Sequence, residues 1–429
     1  MNGPMKTFFL FSLLGIGLTL RTGGAVSLAA DVYLESQRQG HPQIPMAVLR
    51  FTGSAGGESV TLAEATLRSD LVRSGFFDLV AVHRQGNDTD LKAAEAAGAM
   101  VTTSAVVDAK GSDITLIGRA WEVGREAPVI EVKLTGAASS IRRMSHRLAD
   151  KLVTYFTGEP GIAQTQIAYI SDITGHKEVY VMDYDGGNET RLTGDRSIAL
   201  FPHWSNDGGR MAYTSYRSGN PDAYLLEMGT GVRKPFLSAP GINYPPVWTT
   251  TGDRLAFAST RAGDAEIYTM PTGGGGATRL TFNEANDLSP VWSPLGKQIA
   301  FTSDRGGSPQ VYIMEADGSN VHRLTFTGVY NTSPSWSPKG DKIAYACRNK
   351  EKRMKVCIVG IDGQNPIQIT EDSPYDDESP AWAPSGRDIA FASNRMGKRH
   401  IFAIRADGTQ MIRLTTGNAH HTAPAWSPK

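Results

Sequence analysis

The sequence lacks three things, and each lack narrows its function. It has no excess charge: 43 basic side chains face 43 acidic ones in 429 residues. A nucleic-acid partner requires a net basic face, so the balance argues against nucleic acid as the main ligand. It has only two cysteines, Cys347 and Cys357, too few for a disulfide framework and not in C-x-x-C spacing. It has no catalytic signature. There is no G-x-S-x-G elbow, phosphate-binding P-loop, H-E-x-x-H helix or strand-linked G-x-G-x-x-G. No catalytic residue, metal or cofactor is therefore assigned, and a non-enzymatic protein is expected.

Long apolar runs are also scarce. The one near the N-terminus, Phe8 to Leu20, has 13 residues, short for a membrane span. Lys6 precedes it and Ser27-Leu28-Ala29-Ala30 follows, so residues 1–30 read as a secretory signal peptide. An oxidising compartment would permit a Cys347–Cys357 bridge across two facing strands. Two free thiols in small apolar sites are the other reading, and the sequence leaves both open.

What the sequence has is a repeat. Trp204, Trp248, Trp292, Trp336, Trp382 and Trp426 lie 44, 44, 44, 46 and 44 residues apart, each two residues after a proline. A short apolar strand follows each of the first five, as in Ile299 to Ser303. Then comes an arginine (Arg217, Arg261, Arg305, Arg348, Arg395) and a second strand such as Val311 to Met314. Asp-Gly turns and strands ending in Leu-Thr complete the unit. Four short strands in about 44 residues make a propeller blade. A tryptophan fixed in every blade is a packing residue between blades. The first unit, from Gln166, lacks its Trp strand, and the last consists of that strand alone. The C-terminal strand is thus expected to complete the first blade, giving six blades over residues 166–429 without an open edge.

Residues 31–157 follow another pattern. Strand-like runs at Met46–Phe51, Phe77–Val82, Val101–Val107, Ile114–Val123 and Val129–Thr135 are interspersed with helical spacing. The helices are Glu58–Ser74, Leu91–Ala97 and Ser139–Phe156, with Ser139 or Ser140 as a cap. The reading is a small α/β domain, led by a polar arm at 31–43 and followed by a linker at 158–165 around Gly158-Glu159-Pro160-Gly161. The fold class is therefore an α/β N-terminal domain followed by an all-β six-bladed propeller.

Function is expected in the loops that lead into each Trp strand, which converge on one face near the axis. They carry Asn243, Tyr244, Asn286, Asp287, Tyr330, Asn331, Thr332, Asp377, Glu378, His420 and His421. Variable polar and aromatic loops on a rigid ring suit protein recognition. The repeated arginines read as structural, bonding loop carbonyls and stacking on rings. Two other functions are weighed. A metal-dependent hydrolase, lactonase-like, would draw on Asn286, Asp287, Asn331, Asp377 and His421. A cell-wall glycan binder would stack sugars on Tyr244 and Tyr330.

The junction Thr157-Gly158-Glu159-Pro160-Gly161 to Gln166-Ile167-Ala168-Tyr169, the P-x-W-S-P and I-A-F-x-S-x-R blade elements, and Ser69-Asp70-Leu71-Val72-Arg73-Ser74-Gly75-Phe76-Phe77 resemble the TolB family. The resemblance covers nearly all of the chain after the signal peptide. It implies a periplasmic adaptor of the Tol-Pal envelope system, serving outer-membrane integrity and constriction at division. It further implies that the lipoprotein Pal is bound through the propeller mouth. TolA would be engaged through the N-terminal arm, on this chain Asp31, Val32, Tyr33, Leu34 and Glu35. A monomer without cofactor, membrane span or nucleic acid is expected.

Overall fold

The computed structural model describes residues 43–83 and 90–428, and residues 43–429 form one compact unit. The signal peptide and the arm residues Asp31 to Glu35 lie outside the described residues. Among the described residues no helix is long and apolar enough to cross a membrane.

The N-terminal region runs β1 (Ile44–Val48), α1 (Gly57–Ser74), β2 (Phe77–Leu79), α2 (Asp90–Ala96), β3 (Val101–Lys110), β4 (Asp113–Glu122), β5 (Ile130–Ala137) and α3 (Ile141–Thr157). The sheet order is β2-β1-β3-β4-β5; β1 is parallel to both neighbours, and the β3–β4–β5 pairings are antiparallel. Met144, Leu148, Leu152 and Phe156 recur every fourth residue along α3 and make one buried stripe. Gly118 on β4 lets that stripe approach closely, since a Cβ there would lie 2.5 Å from Leu148 Cδ2. Ser140 does not cap α3 as expected. Its hydroxyl bonds back to the Ala137 carbonyl, and a short 3₁₀ turn at Ala138–Ser140 leads into the helix.

The propeller has six four-stranded antiparallel sheets. The first blade comprises His421–Trp426, Gln166–Ser171, Glu178–Asp183 and Thr190–Arg191, so the C-terminal strand completes it as the repeat requires. The later blades begin at Ala199–Trp204, Val247–Trp248, Asp287–Trp292, Asn331–Trp336 and Asp377–Trp382. These Trp strands touch their neighbours in a ring, and His421–Trp426 contacts both Asp377–Trp382 and Ala199–Trp204. They are therefore the innermost strands around the axis.

The second strand of each blade is buried on both faces, which explains apolar runs such as Ile299–Phe301 without alternation. Each tryptophan packs against the preceding blade. Trp336 joins Ala300, Val311, Ile313 and Leu324, and Trp292 joins Ala256, Ala258, Ile267 and Leu280. The proline two residues earlier sits where the ladder is already broken. Phe201, Ser289, Ser333, Ser379 and Ala423, each directly before a proline, adopt φ of 50–55° in a bulge of the innermost strand. A residue without an N–H loses nothing there. Cys347 and Cys357, on neighbouring strands of the fifth blade, are disulfide-bonded with Cα atoms 5.8 Å apart.

Strand direction alternates within a blade, so each end of the ring has its own loops. The connections into the innermost strands and the arginine turns share one end, the mouth. The Asp-Gly turns and the turns after each tryptophan share the other.

Candidate functional site

The mouth loops are held by one side chain per blade, at the start of the third strand. Its chemistry matches what the loop presents. Glu178 accepts from the backbone N–H of Asp195 (3.2 Å) and Arg196 (2.9 Å) and from the Thr193 hydroxyl. Glu266 accepts from the Asn283 N–H (3.1 Å), Thr281 and Arg279. Gln310 accepts from Thr325 and Asn331, both at 2.8 Å. His400 meets the Thr415 hydroxyl at 3.2 Å.

In the fifth blade the polarity inverts. Fully buried Lys355 donates to the carbonyls of Ser373 (3.0 Å) and Tyr375 (2.9 Å) and to the Ser373 hydroxyl (2.7 Å). Burial pulls its pKa down, against the opposing pull of Asp377 at 3.8 Å. The loop it holds is the acidic one containing Glu371, Asp372 and Asp376.

The structure divides the eleven mouth residues singled out in the sequence. Asp287, Asn331, Asp377 and His421 each start an innermost strand, Asn243 lies in an isolated bridge to Ser259 ahead of one, and all five are buried. Asp287 accepts from Arg305 at 2.7 Å and Asp377 from Arg395 at 2.9 Å. Asn243 bonds the Ser259 hydroxyl at 3.0 Å, and Asn331 donates to Gln310. His421 packs against His400 and Tyr169, at 5.3 and 5.5 Å between ring centroids. These five fix the loops from within. Tyr244, Tyr330, Thr332, Glu378 and His420 are half-buried, and Asn286 is exposed.

The repeated arginines stack as expected; Arg305 lies 5.4 Å over Phe301 and 5.2 Å over Tyr312. The hydrogen bonds of Arg261, Arg305 and Arg395, however, go to Ser, Asn and Asp side chains at the mouth rather than to loop carbonyls. Asp287 and Asp377 are thus paired with arginines. The one group of three His, Cys, Asp or Glu side chains placed to share a metal, among the described residues, is elsewhere: Asp70, His146 and Asp185.

The sequence reading missed the most exposed part of the mouth. Phe282 is 73% exposed, Phe326 71% and Val329 69%. Arg279 and Arg323 lie 4.8 and 5.2 Å over the two phenylalanine rings. Ile198 and Phe201 are exposed at the same end. The signal was present: Phe282 and Phe326 directly follow Leu280-Thr281 and Leu324-Thr325, where other blades place Gly194, Glu371 or Thr416. Large apolar side chains left in water on neighbouring loops mark an interaction surface.

At the opposite end the N-terminal domain packs on turns of the first and sixth blades. Asp70 on α1 accepts from the Tyr184 hydroxyl and meets His146 Nδ1, both at 2.7 Å. His146 and Arg142 on α3 face the turn Asp183-Tyr184-Asp185. His146 Nε2 lies 3.8 and 3.9 Å from the two carboxylates, and Arg142 pairs with Asp185. Arg73 stacks 4.6 Å over Tyr184, and Arg387 stacks 3.8 Å over Phe76. Burial alone would push the His146 pKa down. The hydrogen bond and charge of Asp70, with Asp185, override that and hold it above its ordinary value, although Arg142 opposes them.

The TolB β-propeller domain model matches residues 153–429. The Tol-Pal system protein TolB of Geobacter sulfurreducens is 37% identical over 214 residues, 48% of this chain and 50% of that protein. The Tol-Pal system protein TolB of Anaeromyxobacter sp. (strain K) is 37% identical over 206 residues, 43% of this chain and 46% of that one. The chain thus spans about half the length of the curated relatives it matches. The crystal structure of TolB from Acinetobacter baumannii superposes with a TM-score of 0.77 at 26% identity, over 91% of this chain and 98% of that chain. With its blades, its closing strand and its N-terminal domain all accounted for, the chain belongs to the TolB β-propeller family.

Proposed function

We propose that this protein is a periplasmic, non-enzymatic adaptor of a Tol-Pal system. In this reading it binds the lipoprotein Pal through the propeller mouth and TolA through the arm at residues 31–43, supporting outer-membrane integrity and constriction at division. The mature chain begins near Asp31, and the propeller closes from residue 166 to the C-terminus. The observation that carries the reading is the polarity of the molecule. At one end of the ring the N-terminal domain packs on turns of the first and sixth blades, and the other end leaves Phe282, Phe326 and Val329 in water on loops fixed from below.

Fully burying one such phenylalanine is worth about 1.5–3 kcal/mol. Losing two should weaken a partner at least tenfold. The test is calorimetric titration of the chain with the soluble domain of Pal from the same organism. Phe282→Ala with Phe326→Ala should weaken binding, whereas Leu295→Ala, exposed at the opposite end, should not. No binding by the unaltered chain, or equal loss from both changes, would defeat the reading.

A further inference from the structure

The bulge of the innermost strand holds a second departure from the repeat. The residue three before the tryptophan is Ser289, Ser333, Ser379 or Ala423 in four blades, each with φ of 50–55°. A small side chain serves there: the Ser333 N–H meets the Thr302 hydroxyl, and Ala423 packs against the neighbouring blade core. In the second blade the same position, with φ of 52°, is Phe201. A bulky residue in the left-handed region is an outlier, and such outliers collect at binding sites. Its ring is not repaid by burial, because the side chain is 42% exposed. The third blade breaks the pattern as well, with Pro245 at this position and an inner strand reduced to Val247–Trp248.

Phe201 and Tyr244 come together where these two irregular blades meet. Their ring centroids are 6.1 Å apart with the planes tilted by 42°. Tyr244 is held in place by its packing against the core beneath it. Ile198, also exposed, lies in the connection just before Phe201. The result is an aromatic sector at the mouth that the repeat does not need in order to fold, since the sibling blades fold with serine.

We propose that Phe201 is a specificity determinant of the mouth: with Tyr244 it forms the contact for an apolar side chain of the Pal-type partner. This rests on the Pal-binding reading above and assigns one residue's part in it. The phenylalanine is kept at a backbone position suited to small residues because it is used in binding.

The test pairs a stability measurement with a binding measurement on the full mature chain. Phe201→Ser, the residue three sibling blades use, should melt at the same temperature or higher. It should bind the soluble domain of Pal at least tenfold more weakly. Phe201→Tyr, which keeps the ring, should retain most of the affinity. If Phe201→Ser binds as tightly as the unaltered chain, the inference is wrong while the Pal reading stands. If it melts several degrees lower, Phe201 is a packing residue and the inference is also wrong. If the unaltered chain does not bind Pal at all, both readings fall together.

Discussion

The indole Nε1 of Trp204 donates a 3.1 Å hydrogen bond to the carbonyl of Ala425, tying the second blade to the final strand of the chain. The same bond recurs in two further blades, whereas the buried indole N–H groups of Trp248 and Trp336 have no hydrogen-bond partner among the described residues. Trp292 donates to Val247 at 3.3 Å and Trp382 to Ser335 at 3.1 Å, each reaching the residue before the preceding tryptophan. Trp426 donates instead to Thr165 Oγ1 at 2.8 Å, on the approach to the first strand. The final strand thus joins the first and second blades, so stability should depend on closure. Deleting residues 422–429 exposes the edge of Gln166–Ser171 and removes the acceptor of Trp204. A cooperative loss of the propeller signal in a thermal melt is predicted; an unchanged curve would contradict closure.

At Trp382, which makes this bond, packing and hydrogen bond separate by substitution. Trp382→Phe keeps most of the apolar contact and loses one bond, a cost of about 1 kcal/mol. Trp382→Ala also opens a cavity between blades, at about 3–5 kcal/mol. Denaturant unfolding of the two variants should show this ordering.

Lys355 gives a sharper test of the loop anchors. Lys355→Met leaves two inward carbonyls without their donor, while Asp377 keeps Arg395 as its cation. A buried acceptor left unsatisfied costs about 1–3 kcal/mol. Limited proteolysis should show faster cutting within residues 371–376 than in the unaltered chain, with the other mouth loops unaffected.

The two ends of the ring should respond to pH with opposite sign. His146, facing Asp70, Asp183, Asp185 and Arg142 beside Tyr184, has a pKa raised from 6.5. Its contribution to domain contact is complete below about 6.5 and is lost as pH rises through the raised value. His400 is pushed down to about 4 by burial, with Arg413 and His421 adding to the effect. Its contribution is complete above about 6.5 and is lost as pH falls toward 4. Melting temperature against pH should therefore flatten on the alkaline side in His146→Asn and on the acidic side in His400→Gln. Identical profiles for the two variants would contradict the assignment.

The Cys347–Cys357 bridge closes a short loop, with a sequence separation of 10. Chain-entropy reasoning gives about 3 kcal/mol or a little less for a loop of that size. Changing both cysteines to alanine should lower stability by about that amount without altering Pal affinity, measured by denaturant titration and calorimetry.

The repeat was legible because Trp, Pro and Asp-Gly recur at a fixed period, and that period also identified the closing strand. The disulfide was not, because two cysteines ten residues apart leave Cβ geometry undetermined. Asn243, Asp287, Asn331, Asp377 and His421 looked like surface residues because polar residues in loops usually are. Only the partner across the blade, such as Arg305 for Asp287, shows that they face inward. The buried contact of Asp70 with His146 spans 76 positions and joins two helices whose relation no local pattern records.

The most direct measurement is hydrogen exchange of the full mature chain with and without the soluble domain of Pal. The account predicts new protection in the mouth connections 281–286 and 325–330 and around Phe201. It predicts no new protection in the opposite-end turns 293–297 and 338–341. Protection confined to those turns, or none anywhere at saturating Pal, would contradict the claim that the mouth is the partner-binding end.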